Sequence, residues 1–272
     1  MMNKIDFAII ITARYCNPNG DPGNFNIPRH NYDGYGEISD VCIKRKIRDR
    51  LQEAGEEILM IDNNKATDGM YSTKERLSQA PELKTLKGNA DAYRDACCRK
   101  WIDVRSFGQV IAHKDVTGFA SIPVRGPVSI GIAVSLDPVD IVNMTITKSI
   151  NYDKNEPERD KTTIGNKSII SKGTYVSYGS IFPQLASLTG FTDEDAEKIK
   201  QAIIHLFDND ASQHRPSGSM DCALIWAEHN CSNGVISSAK VHRSFGIRAK
   251  DEYPYFEHDI AQIPGIKVTV YD

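Results

Sequence analysis

The 272-residue chain has no C-x-x-C pair, and its six cysteines, Cys16, Cys42, Cys97, Cys98, Cys222 and Cys231, lie scattered. That spacing offers neither a zinc ribbon nor a disulfide framework. A metal site would have to gather distant ligands, with His229 beside Cys231; thiols filling small apolar gaps is the simpler reading. No apolar run approaches the ~20 residues that cross a bilayer. The start, Met1-Met2-Asn3-Lys4-Ile5-Asp6, lacks the basic, apolar and small-residue segments of a secretory signal. A cytoplasmic protein without membrane contact is expected. There is no G-x-x-x-x-G-K-[ST] loop and no G-x-S-x-G elbow, and Gly34-Tyr35-Gly36 is only a fragment of a dinucleotide motif. No cofactor is assigned. The aromatic signature K/R-G-F/Y-G/A-F-V-x-F/Y of ordinary RNA-recognition domains is also missing.

Excess positive charge is lacking too: 33 Lys and Arg face 36 Asp and Glu, a net charge of −3. Its distribution says more than its sum. Lys44, Arg45, Lys46, Arg48 and Arg50 fall within seven residues, opposed there only by Asp49, while acids gather near 53–57, 153–160, 193–197 and 251–259. Segregated charge can hold a polyanion locally while the remaining surface stays acidic.

Residues 5–13 are short, apolar and β-branched, which predicts a strand. It ends at Cys16-Asn17-Pro18-Asn19-Gly20-Asp21-Pro22-Gly23, and the irregular stretch runs to about Gly36, too long for an ordinary connection. Ser39 or Asp40 then caps a helix whose stripe is Ile43, Ile47, Leu51 and Ala54. Lys44, Arg45 and Arg48 lie off that stripe, so the helix dipole and these cations converge on the loop. A further helix is predicted over about 89–101, and Val128–Leu136 reads as one strand. Asn143–Ile150 alternates, with Met144, Ile146 and Ile150 on one side. Residues 151–162 are charged and read as the polar, mobile tip of a hairpin. Thr192, with Asp195 as an imperfect capping box, opens a helix with Ala196, Ile199, Ile203 and Phe207 as its stripe. Strands follow at about 223–227 and 266–271. This order predicts an α+β fold, a ferredoxin-like or RNA-recognition-type core in one domain over 1–272, with insertions at about 60–118 and 137–172.

Two loop carboxylates, Asp21 and Asp33, sit beside the basic helix, where a carboxylate can position a metal-bound water against a phosphodiester. One ligand is not a site, and turn chemistry explains both more simply. Asp208-Asn209-Asp210 follows a helix end and reads as a turn.

Asn17-Pro18-Asn19-Gly20-Asp21-Pro22, Pro28-Arg29 and the run from Ser39 to Arg48 together resemble the start of the CRISPR backbone subunits of the RAMP superfamily. The type I-C subunit of Cascade is the nearest kind, with type I-B behind it. Residues 103–108 (Asp-Val-Arg-Ser-Phe-Gly), 125–128 (Arg-Gly-Pro-Val) and 215–220 (Arg-Pro-Ser-Gly-Ser-Met) extend the resemblance past residue 240. It implies a hand-shaped protein: an RNA-recognition-type palm with a helical insertion, and a β-hairpin thumb at 143–165 reaching over guide RNA onto the next copy. It further implies several copies per RNA, other Cascade subunits, target DNA paired to the guide, and a recruited nuclease-helicase that does the cutting. Such a scaffold must hold phosphates and leave base edges free. Lys44, Arg45, Lys46 and Arg48 suit that role, Arg29 and Arg105 join them, and Asn19 and Gly20 let backbone approach RNA. Met144 and Ile164 are candidates to wedge between bases, or simply to pack the hairpin. Two other readings stay open: a metal-dependent endoribonuclease like the type III subunits, using Asp21 or Asp33, and a structural protein whose basic helix meets an acidic partner.

Overall fold

The computed structural model describes residues 2–148 and 163–272. Its organising element is the strand Ile5–Cys16. The unbroken apolar run Phe7-Ala8-Ile9-Ile10-Ile11 offers no polar face to solvent, so the strand is driven to the middle of a sheet, and all five residues are fully buried. It pairs antiparallel with Thr163–Ile181 on one side, Ile9 opposite Ser177, and with Met220–His229 on the other, Ile9 opposite Leu224. Ala133–Pro138 and then Tyr35–Ile38 extend the sheet beyond the long strand, and Ile266–Tyr271 closes the opposite edge. The four strands 5–16, 133–138, 163–181 and 220–229 lie in the spatial order 4-1-3-2, the ferredoxin-like arrangement expected from the sequence.

Two helices cover one face. Asp40–Glu53 is capped by the Ser39 hydroxyl, which accepts from the Cys42 amide at 3.2 Å, and it buries Ile43, Ile47 and Leu51. Asp193–Ile204 opens with a complete capping box between Thr192 and Asp195, shorter than the usual glutamate but sufficient here, and buries Ala196, Ile199 and Ile203. These residues pack with Phe7, Ile9 and Ile11 in one cluster. Ala8 and Ile10, on the reverse of the pleat, pack under Val241 of the helix Ser238–Ser244 and under Phe245 and Phe256. A third cluster, with Leu77, Tyr93, Cys97, Trp101 and Ile122, is built by the helices Thr73–Gln79, Ala90–Lys100 and Ile102–Phe107 and the short strands Gln109–Ile111 and Ile122–Val124. There burial pushes the Cys97 thiol up to about 12 and Cys98 to about 11, as for thiols that fill apolar space. Among the described residues no helix is long and apolar enough to cross a membrane.

Four details depart from expectation. The stretch 128–136 is two strands, Val128–Ile130 and Ala133–Pro138, because the register on the long strand slips by one residue between them: Ile130 faces Gly179 but Val134 faces Val176, with the Gly131 amide donating to the Tyr178 carbonyl at the slip. Ala54 lies past the end of its helix and is exposed, and Phe207 lies beyond Ile204, half-buried. The irregular loop carries a two-residue ribbon, Gly20–Asp21 against Ile27–Pro28, and its last part is the edge strand Tyr35–Ile38. The proposed hairpin tip, 151–162, and Ile150 lie outside the described residues.

The central strand carries one charge into the core. Asp6 is fully buried and accepts from the Ser180 hydroxyl at 2.5 Å and from His229 Nε2 at 2.8 Å, with the Lys4 ammonium 3.3 Å away. The Val235 amide donates to His229 Nδ1, which fixes the tautomer with its proton on Nε2. Burial would push the Asp6 carboxyl up, but Ser180, Ser238, His229 and Lys4 outweigh it and hold the group below its ordinary range. A depressed folded pKa stabilises the fold above the unfolded value of about 3.9, and that stabilisation is lost as pH falls through the folded value. Asp6→Asn is therefore expected to lower the urea midpoint at pH 7 and to flatten the acid limb below about pH 4. Parallel acid limbs for the two proteins would remove Asp6 as its source.

Candidate nucleic-acid interface

The first loop is built by its own side chains. Asn17 is buried; its amide donates to the His214 carbonyl at 2.8 Å and its Nδ2 to the Asn26 carbonyl at 2.7 Å. Asn19 Oδ1 accepts from the Ser39 amide at 2.9 Å, tying the loop to the residue that caps the basic helix. A Cβ on Gly20 would stand 1.9 Å from Asn26 Oδ1, so any side chain there displaces the Asn26 amide. Asp21 accepts from the Gly23 amide and pairs with Arg29 at 3.1 Å, so it is both turn-former and counter-ion. Asp33 is exposed at the tip of a turn whose backbone Asn31 Oδ1 braces. Asn19, Gly20, Asp21 and Arg29 thus come together at the start of the helix.

The basic helix is less free than its sequence suggests. Lys44 pairs with Asp40 and Arg45 with Asp49, each at 3.0 Å, and Arg50 pairs with Glu53 at 2.6 Å. Arg48 is turned into the protein: its Nε donates to buried Asp103 at 2.9 Å and its guanidinium lies 5.0 Å from the Phe107 ring. Arg105 likewise makes a two-bond pair with Asp195, at 3.0 and 2.8 Å, and so joins its helix to the start of Asp193–Ile204. The face expected to present Arg48 to a ligand is a brace between helices instead. Lys44 and Arg45 keep about a quarter of their side chains exposed.

Surplus charge collects one turn away. Lys46 pairs with Asp210, and the same carboxylate oxygen accepts from Arg215 Nε at 2.9 Å. Two cations therefore share one carboxylate at the foot of the first loop. Burial lowers the Lys46 pKa, Asp210 opposes that, and Arg215 adds to it. The Cys42 thiol sits in the same field: burial raises its pKa, while Lys46, Arg215 and Arg29 pull it down. Lys167, on the long strand, donates at 2.6 Å to the carbonyl of Gln213, which lies between Asp210 and Arg215 in the loop 208–219. The role of 208–219 was not legible in the sequence: Asp210 reads as a turn, and Arg215 carries no local pattern that points to residue 46.

Two further blocks meet backbone to backbone. Gly108 has φ 77°, and a Cβ on Gly126 would stand 2.2 Å from the Ser106 carbonyl, so only glycine closes this contact. Arg125 and Lys44 line one cleft with Pro127, Val128, Phe182 and Leu185. On the hairpin stem, Ile141–Lys148 pairs with the start of Thr163–Ile181, Met144 opposite Lys167. Met144 is 40% exposed, in a stripe with Val142 and Ile146. The side chain of Ile164 lies outside the described part of the structure. Asn19, Arg29, Lys44 and Arg215 thus gather toward the helix start, with Lys46 buried against Asp210 in the second turn, whereas Arg48 and Arg105 brace the fold and Met144 stands on the stem.

The family model described as CRISPR-associated protein Cas7 matches residues 3–269. A CRISPR-associated protein Cas7 of Haloferax volcanii is 35% identical over 120 residues, 41% of this chain and 33% of the relative, so the match spans about a third of that relative's length. Among solved structures, a chain of a CRISPR RNA-guided surveillance complex, pre-nicking, is similar with a TM-score of 0.54 and 16% identity, over 92% of this chain and 82% of that one. A chain of a second CRISPR RNA-guided surveillance complex gives 0.51 and 17%, over 92% and 77%. At these identities the likeness is one of fold.

Proposed function

Because the chain belongs to the CRISPR-associated protein Cas7 family, we propose that it is a guide-RNA-binding backbone subunit of a type I surveillance complex, of the I-C kind. Several copies line one guide and hold it ready to pair with target DNA, alongside other subunits and a recruited nuclease-helicase. The observation that carries this reading is the cationic cluster at the loop–helix junction, where Lys46 and Arg215 share Asp210 beneath a loop whose backbone is pinned to the helix cap. Such a cluster binds phosphate without reading base edges, which suits a scaffold for any guide sequence. Arg29 and Lys44 extend the track. The hairpin 137–172 is the thumb in this reading, with the Met144 stripe on its stem.

The subunit holds RNA and leaves cutting to others. Asp21 is already committed to Arg29 and to its own turn, which supports that view. Incubation of the protein with end-labelled single-stranded RNA and magnesium is expected to retard the RNA without shortening it. Magnesium-dependent shortening that Asp21→Ala or Asp33→Ala abolishes would replace this reading with a metal-dependent endoribonuclease. No shift at low salt would favour a structural protein whose basic helix meets an acidic partner.

A further inference from the structure

On the sheet face opposite the basic helix lies a second concavity with a different chemistry. Ala13 points into the core shared with the helices, so Arg14 emerges on the reverse side. There its guanidinium carbon stands 4.5 Å from the centroid of the Tyr255 ring. Tyr255 is held in the left-handed region, φ 67°, by a turn in which its amide donates to the Glu252 carbonyl at 2.7 Å and its carbonyl accepts from the Lys250 amide at 3.0 Å. The Thr174 hydroxyl donates to the same carbonyl at 3.0 Å. An aromatic residue in that conformation is strained, and the surroundings fix it where it supports Arg14.

Arg14, Lys172, Lys250, Thr12, Thr174 and Tyr255 line a groove between the sheet and the segment 249–255. Lys172 is answered by Asp251, and Asp137 is the other carboxylate on the rim. Three cations thus face two acids, and Arg14 has no carboxylate partner among the described residues. A stacked guanidinium with its fork unspent is a preorganised anion binder.

We propose that this groove binds a phosphate of a second nucleic-acid strand, separate from the guide at the loop–helix junction. Two exposed rings adjoin its lining residues, Tyr15 next to Arg14 in the chain and Tyr253 against Tyr255, and they favour a strand over a free phosphate. The register pairs Arg14 with Lys172 and Cys16 with Ile170, leaving Tyr15 between them as an unpaired residue at φ 49°, 66% exposed. The register is the same on either side of it, so Tyr15 interrupts the ladder through its left-handed backbone, and its exposed ring follows the uncompensated cation in the chain. Tyr253, 75% exposed, stands edge-on to Tyr255 at 5.8 Å. Alternating cations and exposed rings hold single strands of any sequence.

The test titrates a labelled oligothymidylate of about 12 nucleotides, matching the site sizes of single-strand grooves, into protein saturated with an unlabelled guide RNA that cannot pair with it. Arg14→Gln/Lys250→Gln is expected to weaken oligothymidylate binding at least about fivefold and to reduce its salt slope, while guide affinity, measured in parallel, stays put. Lys250→Gln alone, at an exposed position, is expected to show part of the loss even where Arg14→Gln proves unstable. Absence of oligothymidylate binding by the loaded wild type would overturn the proposal, as would equal binding by folded variants. Displacement by adenosine monophosphate at matched phosphate concentration would assign the groove to a free nucleotide and also overturn it.

Discussion

Replacing Asp103 by alanine is expected to lower the unfolding free energy by about 4 kcal/mol, the range for breaking a buried pair and stranding its partners. Asp103 is 1% exposed, and each of its oxygens is used: Oδ1 accepts from the Leu59 amide at 2.9 Å, and Oδ2 from the Met60 amide at 3.2 Å and Arg48 Nε at 2.9 Å. Alanine leaves a largely buried guanidinium and two amides without acceptors. Arg48→Ala is the milder change, about 2 kcal/mol, because the carboxylate keeps both amide donors. Urea denaturation of the two variants measures this directly. The pair also separates structure from RNA binding: Arg48→Ala should leave the salt dependence of guide binding unchanged. A slope reduced by about 0.7 would place Arg48 on a phosphate, and a stability loss under about 1 kcal/mol for Asp103→Ala would deny it the role of brace.

Lys46→Ala combined with Arg215→Ala is expected to weaken guide RNA binding about a hundredfold, two charge-assisted contacts of about 1.5 kcal/mol each. The log–log salt slope should fall by about 1.4, since each lost contact with single-stranded phosphate returns about 0.7. Asp210 supplies the control. It competes with phosphate for both cations, so Asp210→Asn should bind RNA as tightly as the wild type or tighter, and alanine variants that merely disturbed the loop would not predict that sign. Filter binding across a salt series decides it. An unchanged slope in the double variant would reduce the cluster to a structural triad and shift the phosphate track to Arg29, Lys44 and Arg125.

The helices Asp40–Glu53, Ala90–Lys100 and Asp193–Ile204 and the first central strand were legible because their signals are local, whereas the shorter helices Thr73–Gln79, Ile102–Phe107, Pro183–Thr189 and Ser238–Ser244 were not. Ser39 and Thr192 cap their helices with their own hydroxyls, and the stripes Ile43-Ile47-Leu51 and Ala196-Ile199-Ile203 repeat at the helical period, so each choice is made within one or two turns. The run from Phe7 to Ile11 has no side to show water, which places it at the centre of a sheet before any partner is known. The signals failed where a distant backbone intervened. The run 128–136 alternates like one strand, but its register on the long partner strand slips by one residue between Ile130 and Val134.

Charge is where sequence and structure part. By itself the sequence determined that five cations share one short helix beside a loop of turn residues. It could not say which cations are free, because their partners lie far along the chain: Asp103 is 55 residues from Arg48, Asp195 is 90 from Arg105, and Asp210 is 164 from Lys46. Helical periodicity tells which way a side chain points but not what the fold brings to meet it. Only closure of the sheet, with both helices packed on one face, spends Arg48 and Arg105 as braces and leaves Lys46 and Arg215 competing for one carboxylate.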